Sequence, residues 1–92
     1  MEIEFEWDEE KRLSNIEKHH LDFERALEIF DGRPVLLRES ERYNEPRFVT
    51  VGPLDGRFIA VIWTLRDDKV RIISARRARD GERNQYYQTF GK

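Results

Sequence analysis

Ninety-two residues with a net charge of −2 make one small domain, spanning residues 1–92, near the lower limit for folding without staples. The absence of cysteine excludes disulfides, thiolate metal sites and cysteine nucleophiles, and suits a reducing compartment. No apolar run nears the roughly 18 residues that cross a bilayer, and the start MEIEFEWDEEK is acidic where a signal peptide is basic, so a soluble cytoplasmic protein without membrane association is expected.

The stretch EIEFEW alternates strictly, with Ile3, Phe5 and Trp7 on one side and glutamates on the other, which predicts a half-buried strand. Asp8 is a good helix N-cap, and Glu9 and Glu10 follow it where the helix dipole favours negative charge. A helix to about Lys18 or His19 is predicted, with Leu13 and Ile16 as its narrow apolar stripe. A second helix begins near Asp22, with Phe23, Ala26, Leu27 and Phe30 at i, i+3, i+4 and i+7, and ends at Gly32 and Pro34.

From Pro34 to Ala75 the chain reads as strand and turn. PVLLRE is a strand, SERYNEP a polar loop, and RFVTVGPL a strand interrupted near Gly52-Pro53. Asp55-Gly56 makes a hairpin, and RFIAVIWTL is apolar at nearly every position, hence a central strand covered on both faces. RDDK turns the chain into VRIISA, where alternation places Val70, Ile72 and Ser74 opposite Arg71, Ile73 and Ala75. Asp80 caps a last helix through about Phe90, with Tyr86, Tyr87 and Phe90 to pack it. The expected class is α+β: an N-terminal strand and two helices, then a four-stranded antiparallel meander and a C-terminal helix, with the helices on one face.

Charge is distributed unevenly. Residues 1–31 carry four basic and eleven acidic groups, whereas residues 57–92 carry nine basic and four acidic. Thirteen of the seventeen basic residues are Arg, whose planar fork matches phosphate in a way that Lys cannot. There is no P-loop, G-x-G-x-x-G, G-x-S-x-G or H-E-x-x-H motif, and the adjacent pair His19-His20 is poorly placed to chelate one metal, so neither a metal nor a cofactor is expected.

What remains is a constellation of cations with one imidazole. Lys18 and His19 end the first helix, Arg47 begins a strand, Arg66 and Arg71 flank a hairpin, and Arg76 and Arg77 close the last strand. Such groups suit metal-free RNA cleavage, in which the 2′-hydroxyl attacks the adjacent phosphate, a base takes its proton and arginines hold the growing charge. The expected catalytic residues are His19, Arg66 and Arg76, with Lys18, Arg47, Arg71 and Arg77 positioning the backbone. Trp7, Trp63 and Tyr86 are candidates to stack a base, though Trp63 and Trp7 read first as core.

FEWDEEKRLSNIEKHHLDFERALEIF resembles the opening of the BrnT toxin family, in which F-x-W-D-x-x-K, N, K-H-G and F-x-x-A occur in that order. GRFIAVIWTLRDDKVRIISARRARDGERNQYY resembles its second half, with R-I-I-S-A-R, Glu82 and Tyr86. The resemblance runs from Phe5 to Tyr87. It implies a type II toxin with a RelE-like fold that cuts RNA and inhibits translation. It also implies a BrnA-type ribbon-helix-helix antitoxin in a 2:2 complex, with DNA bound only through that antitoxin. The chain departs from the pattern at His20, where the family has glycine at a helix end that favours a left-handed residue. The alternative reading is a non-catalytic module that docks an antitoxin and acts only within a repressor complex.

Overall fold

The computed structural model describes residues 3–42 and 44–91, with the side chain of Arg42 left aside. Nine elements follow in order: β1 (Phe5–Trp7), α1 (Glu9–His19), α2 (Phe23–Ala26) running into a 3-10 turn (Leu27–Phe30), β2 (Leu36–Arg42), β3 (Glu45–Leu54), β4 (Arg57–Arg66), β5 (Lys69–Arg77) and α3 (Asp80–Phe90). One five-stranded sheet has the order β1-β5-β4-β3-β2. The antiparallel meander is therefore present, but it is not the whole sheet. β1 adds to it in parallel against β5, with Phe5 opposite Val70 and Trp7 opposite Ile72.

Local chemistry sets the first turns of the chain. The Asp8 carboxylate accepts from the amides of Glu10 and Lys11 and starts α1. His20 ends it in the left-handed region, φ 57°, its amide donating to the Ile16 carbonyl. Histidine thus adopts the conformation that glycine has in the family pattern.

α1 differs from its expected packing. Leu13 is exposed, and the residue of α1 that is buried is Asn15, at 6 % exposure. Its amide nitrogen donates to the carbonyls of Ala75 (2.8 Å) and Leu21 (2.9 Å), and its Oδ1 accepts from the Ala75 amide at 3.2 Å. β1 stops at Trp7, so beyond Ile72 the edge of β5 lacks a strand. Asn15 continues the pairing with one side chain, satisfying both backbone groups of a fully buried residue. Asn15→Ala strands those groups and is expected to cost about 2 kcal/mol, read as a lower urea midpoint at unchanged slope.

The second helix is shorter than its apolar pattern suggests. It makes one α turn and then tightens, and the fully buried residues are Phe23, Ala26 and Ile29, at 0, 0 and 1 % exposure. That spacing of three is the period of a 3-10 turn, in which i and i+3 eclipse. Leu27 and Phe30, the other half of the expected stripe, are only partly buried.

The segment SERYNEP is mostly strand rather than loop. β2 continues to Arg42 and β3 starts at Glu45, with Ser40 opposite Arg47 and Glu41 opposite Pro46. Tyr43 lies outside the described residues. β3 also runs unbroken through Gly52-Pro53, which pair with Ile59 and Phe58. Gly52 is needed there because a Cβ would stand 2.8 Å from Val35 Cγ1. The Asp55-Gly56 hairpin forms as expected, with φ of 52° and 78°, and Asp67-Asp68 makes the same left-handed turn without glycine.

β4 sits in the middle of the sheet and is covered from both sides. On one face Ile59 and Val61, with Val70, Ile72 and Ala75 of β5, pack against Phe23, Ala26 and Ile29. On the other, Ala60 joins Val49 and Val51, and α3 lies over that end of the sheet. The helices are therefore split between the faces. α3 anchors through Tyr86, whose hydroxyl donates to the Pro34 carbonyl at 2.9 Å and whose ring lies 4.9 Å from that of Phe58. Its N-cap is Arg79, not Asp80: the Glu82 carboxylate reaches back to accept from the Arg79 amide at 2.8 Å.

Candidate active site

Simple alternation along β5 fails at one place, and that failure builds the site. Ile62 of β4 faces Ser74 while Trp63 faces Ile72, so Ile73 has no partner and β5 bulges. Past the bulge every side chain changes face relative to strict alternation. Ala75 joins Val70 and Ile72 in the helix-covered core, while Ser74 and Arg76 turn to the opposite, open face.

On that face, beside α3, lies a cleft of about 430 Å³ lined by Val49 and Ile62, the hydroxyl-bearing Ser40 and Ser74, and the cations Arg38, Arg47, Arg76 and Arg79. Among the described residues Glu41 is its one acidic lining residue. Four guanidinium groups above an apolar floor present donors that match phosphate, with Glu82 and Glu45 as counter-charges beside three of them.

Two of them, Arg76 and Arg38, are oriented by Glu82 at the first turn of α3. Arg76 donates to both of its oxygens, Nη1 to Oε1 at 2.9 Å and Nη2 to Oε2 at 3.0 Å, and Arg38 adds a bond to Oε2 at 3.1 Å. With the Arg79 amide, that carboxylate accepts four hydrogen bonds. The Arg76 bonds above all hold its pKa down to about 2, against a burial cost that works the other way. Arg76 is itself only 16 % exposed at its side chain, so Glu82 fixes the guanidinium plane while one edge faces the cleft.

The expected site residues divide among several places. Arg47 and Arg76 share the arginine cleft. Lys18 and His19 lie on a smaller shelf with Lys11, Ser14 and Asn15, and this shelf meets the cleft at their common wall, Ile73 and Ser74. Arg66 is not in the cleft lining but stands 3.8 Å from Glu45, a carboxylate that Arg47 also contacts at 3.4 Å. Arg71 is paired with Glu6 across the β1–β5 boundary at 3.1 Å. Arg77 faces the other way from Arg76, in a cleft that also receives His19.

The aromatic candidates are engaged internally. Tyr86 is 8 % exposed and anchors α3. Trp63 stacks on Phe48 at 4.6 Å and donates to Thr50 Oγ1 at 2.8 Å, and Trp7 meets Phe23 edge-on at 6.1 Å. Sequence reasoning missed Arg38, Arg79 and Glu82 as site residues. The one legible signal was Glu82, three residues after the cap Arg79 and six after Arg76.

Together these features define a small α+β protein with an arginine-lined sheet face. Over residues 7–82 the chain matches the family model described as the ribonuclease toxin BrnT of type II toxin-antitoxin systems, and it belongs to that family. Membership makes it a ribonuclease toxin with an antitoxin as partner. A comparison with curated proteins found no match. Among the described residues no helix is long and apolar enough to cross a membrane.

Proposed function

We propose that RNA is cleaved at the bulge of β5, where the arginine cleft meets the Lys18–His19 shelf, by a reaction that needs no metal. The observation that carries this reading is the shared wall at Ile73 and Ser74: a phosphodiester over Ser74 has guanidinium groups on one side and an imidazole and an ammonium on the other. His19 takes the proton of the 2′-hydroxyl as its oxygen bonds to phosphorus. The bond to the 5′-oxygen breaks and that oxygen takes a proton from solvent, leaving a 2′,3′-cyclic phosphate and a 5′-hydroxyl. Arg76 and Arg47 hold the negative charge that grows on the non-bridging oxygens. Lys18 positions the chain beside it. Arg71 and Arg66, each beside a carboxylate and outside the lining of the cleft, contribute to the field along the backbone rather than at the phosphate.

The same reading takes the chain as one toxin domain of RelE-like kind acting in the cytoplasm. It has a BrnA-type antitoxin bound in a 2:2 complex, and contact with DNA only through that partner. What supports the RelE-like relation is the antiparallel meander preceded by two helical segments.

The test is cleavage of RNA by the purified toxin with a chelator present. Wild type is expected to yield fragments ending in cyclic phosphate, His19→Ala to lose most activity, and Arg66→Ala to stay near the wild-type rate. Activity that vanishes with chelator and returns with a divalent cation overturns the metal-free step. Equal losses in the His19 and Arg66 variants overturn the placement.

A further inference from the structure

We infer that the hairpin end of the protein carries a second nucleic-acid-binding groove, in which single-stranded RNA lays its phosphates on Arg57 and Arg77 and stacks one base on Tyr87. The inference rests on the ribonuclease reading for its ligand but uses residues outside the cleavage cleft.

Two clefts, of about 420 and 450 Å³, meet there, and both are lined by Arg57 and Arg77. The Asp55-Gly56 turn delivers Arg57 to the start of β4, and the register sets Arg77 opposite Ile59, so the two arginines are diagonal neighbours on one face. Most arginines of this protein are tied to carboxylates, but Arg57 and Arg77 are exposed and have no ion pair among the described residues. Two unneutralised guanidiniums held side by side cost the fold electrostatic repulsion, and an anionic ligand relieves it. The first cleft adds Arg83, which is bound to Asp80, and the second adds His19, His20 and Arg25, which is bound to Asp55.

An aromatic ring borders the first of these clefts from the α3 side of the sheet. Tyr87 lines the first cleft, is 41 % exposed, and has its ring held edge-on by Phe58 at 5.3 Å. Cations that track a backbone beside a rigid exposed ring are the elements of sequence-tolerant single-strand binding. An acidic protein segment needs the charges but not the ring, which is why we assign the groove to nucleic acid. His19 lines one of these clefts and also the shelf beside Ser74, so the groove leads toward the cleavage site and suits the strand entering or leaving it.

The experiment uses a fluorescent 2′-O-methyl oligonucleotide of about twelve residues, which binds without being cut because its 2′-oxygen is blocked. Anisotropy against salt is measured for wild type, Arg57→Gln/Arg77→Gln, Tyr87→Ala and Tyr87→Phe. Removal of both arginines is expected to lower the slope of log affinity against log salt by about 1.4, at about 0.7 per single-strand phosphate contact. Tyr87→Ala is expected to weaken binding about tenfold while Tyr87→Phe keeps it. Thermal unfolding of each variant separates lost contacts from lost fold. An unchanged slope in the double variant overturns the groove, as does equal binding by Tyr87→Ala, or displacement of the oligonucleotide by polyglutamate as readily as by unlabelled RNA. The readout is binding alone, so these results stand whether or not the wild type cleaves.

Discussion

Glu82→Gln is expected to lower the unfolding free energy by about 3 kcal/mol at neutral pH and to remove most of the cleavage activity with it. Glutamine keeps the shape and still accepts from the Arg79 amide. It presents an NH2 to guanidinium donors, however, where the carboxylate accepted from Arg76 and Arg38. A largely buried Arg76 is then left without its counter-charge, and Arg38 loses its orientation.

The pH dependence follows from the sign of the shift. Glu82 has a pKa of about 2 in the folded protein, below its ordinary 4.5. Above about 4.5 it is ionised in both states and its contribution is complete. Between there and about 2 the unfolded chain takes up the proton first, so the contribution shrinks, and below the folded value it is gone. Arg12 also holds Asp22 below the usual carboxylate range, as Arg33 does Asp31, but these pairs are common to both proteins and cancel in the comparison. Urea unfolding of wild type and Glu82→Gln across pH 2–7 is the measurement. A constant gap at all pH values, or none at neutral pH, contradicts the role assigned to this carboxylate.

Arg76→Ala is expected to reduce cleavage about 100- to 1000-fold, the range for removing one preorganised group at a developing oxyanion. Arg76→Lys is expected to recover little of this. It keeps the charge and loses the fork that engages Glu82 through two nitrogens and leaves an edge for phosphate. The loss should fall on the turnover number more than on substrate affinity, because the other cations still attract the RNA. In cells lacking the antitoxin, wild-type expression is expected to arrest growth and Arg76→Ala to permit it.

Much of the architecture was legible because local rules governed it. Asp8 as cap, the Asp55-Gly56 hairpin and the two-sided burial of β4 each follow from residue chemistry at one place. The misreadings have one cause: tertiary contacts overrode local pattern. The stripe from Phe23 to Phe30 fits an α period, yet packing on the sheet selects Phe23, Ala26 and Ile29 at a period of three. SERYNEP is polar because β2 and the start of β3 lie at the sheet's margin, not because the segment lacks strand structure.

The proposed site could be read from the sequence as an inventory of residue types and not as an arrangement. Lys18, His19, Arg47 and Arg76 carry the right chemistry, but only the bulge at Ile73 decides that Arg76 turns to the open face and Arg77 away from it. A single unpaired residue has no signature in a run such as VRIISARR. Asn15 shows the same limit, since its role depends on β1 ending opposite Ile72, short of Ala75, where β5 needs a partner.

The most direct test of the cleavage site is the rate of cut RNA formed by Arg76→Ala beside Arg77→Ala. These are adjacent residues that the bulge sends to different clefts. The account predicts that the first variant falls to at most about one hundredth of the wild-type rate, while the second keeps its turnover number and shows only weaker RNA binding. Equal losses of turnover in both, or a larger one in Arg77→Ala, would contradict it.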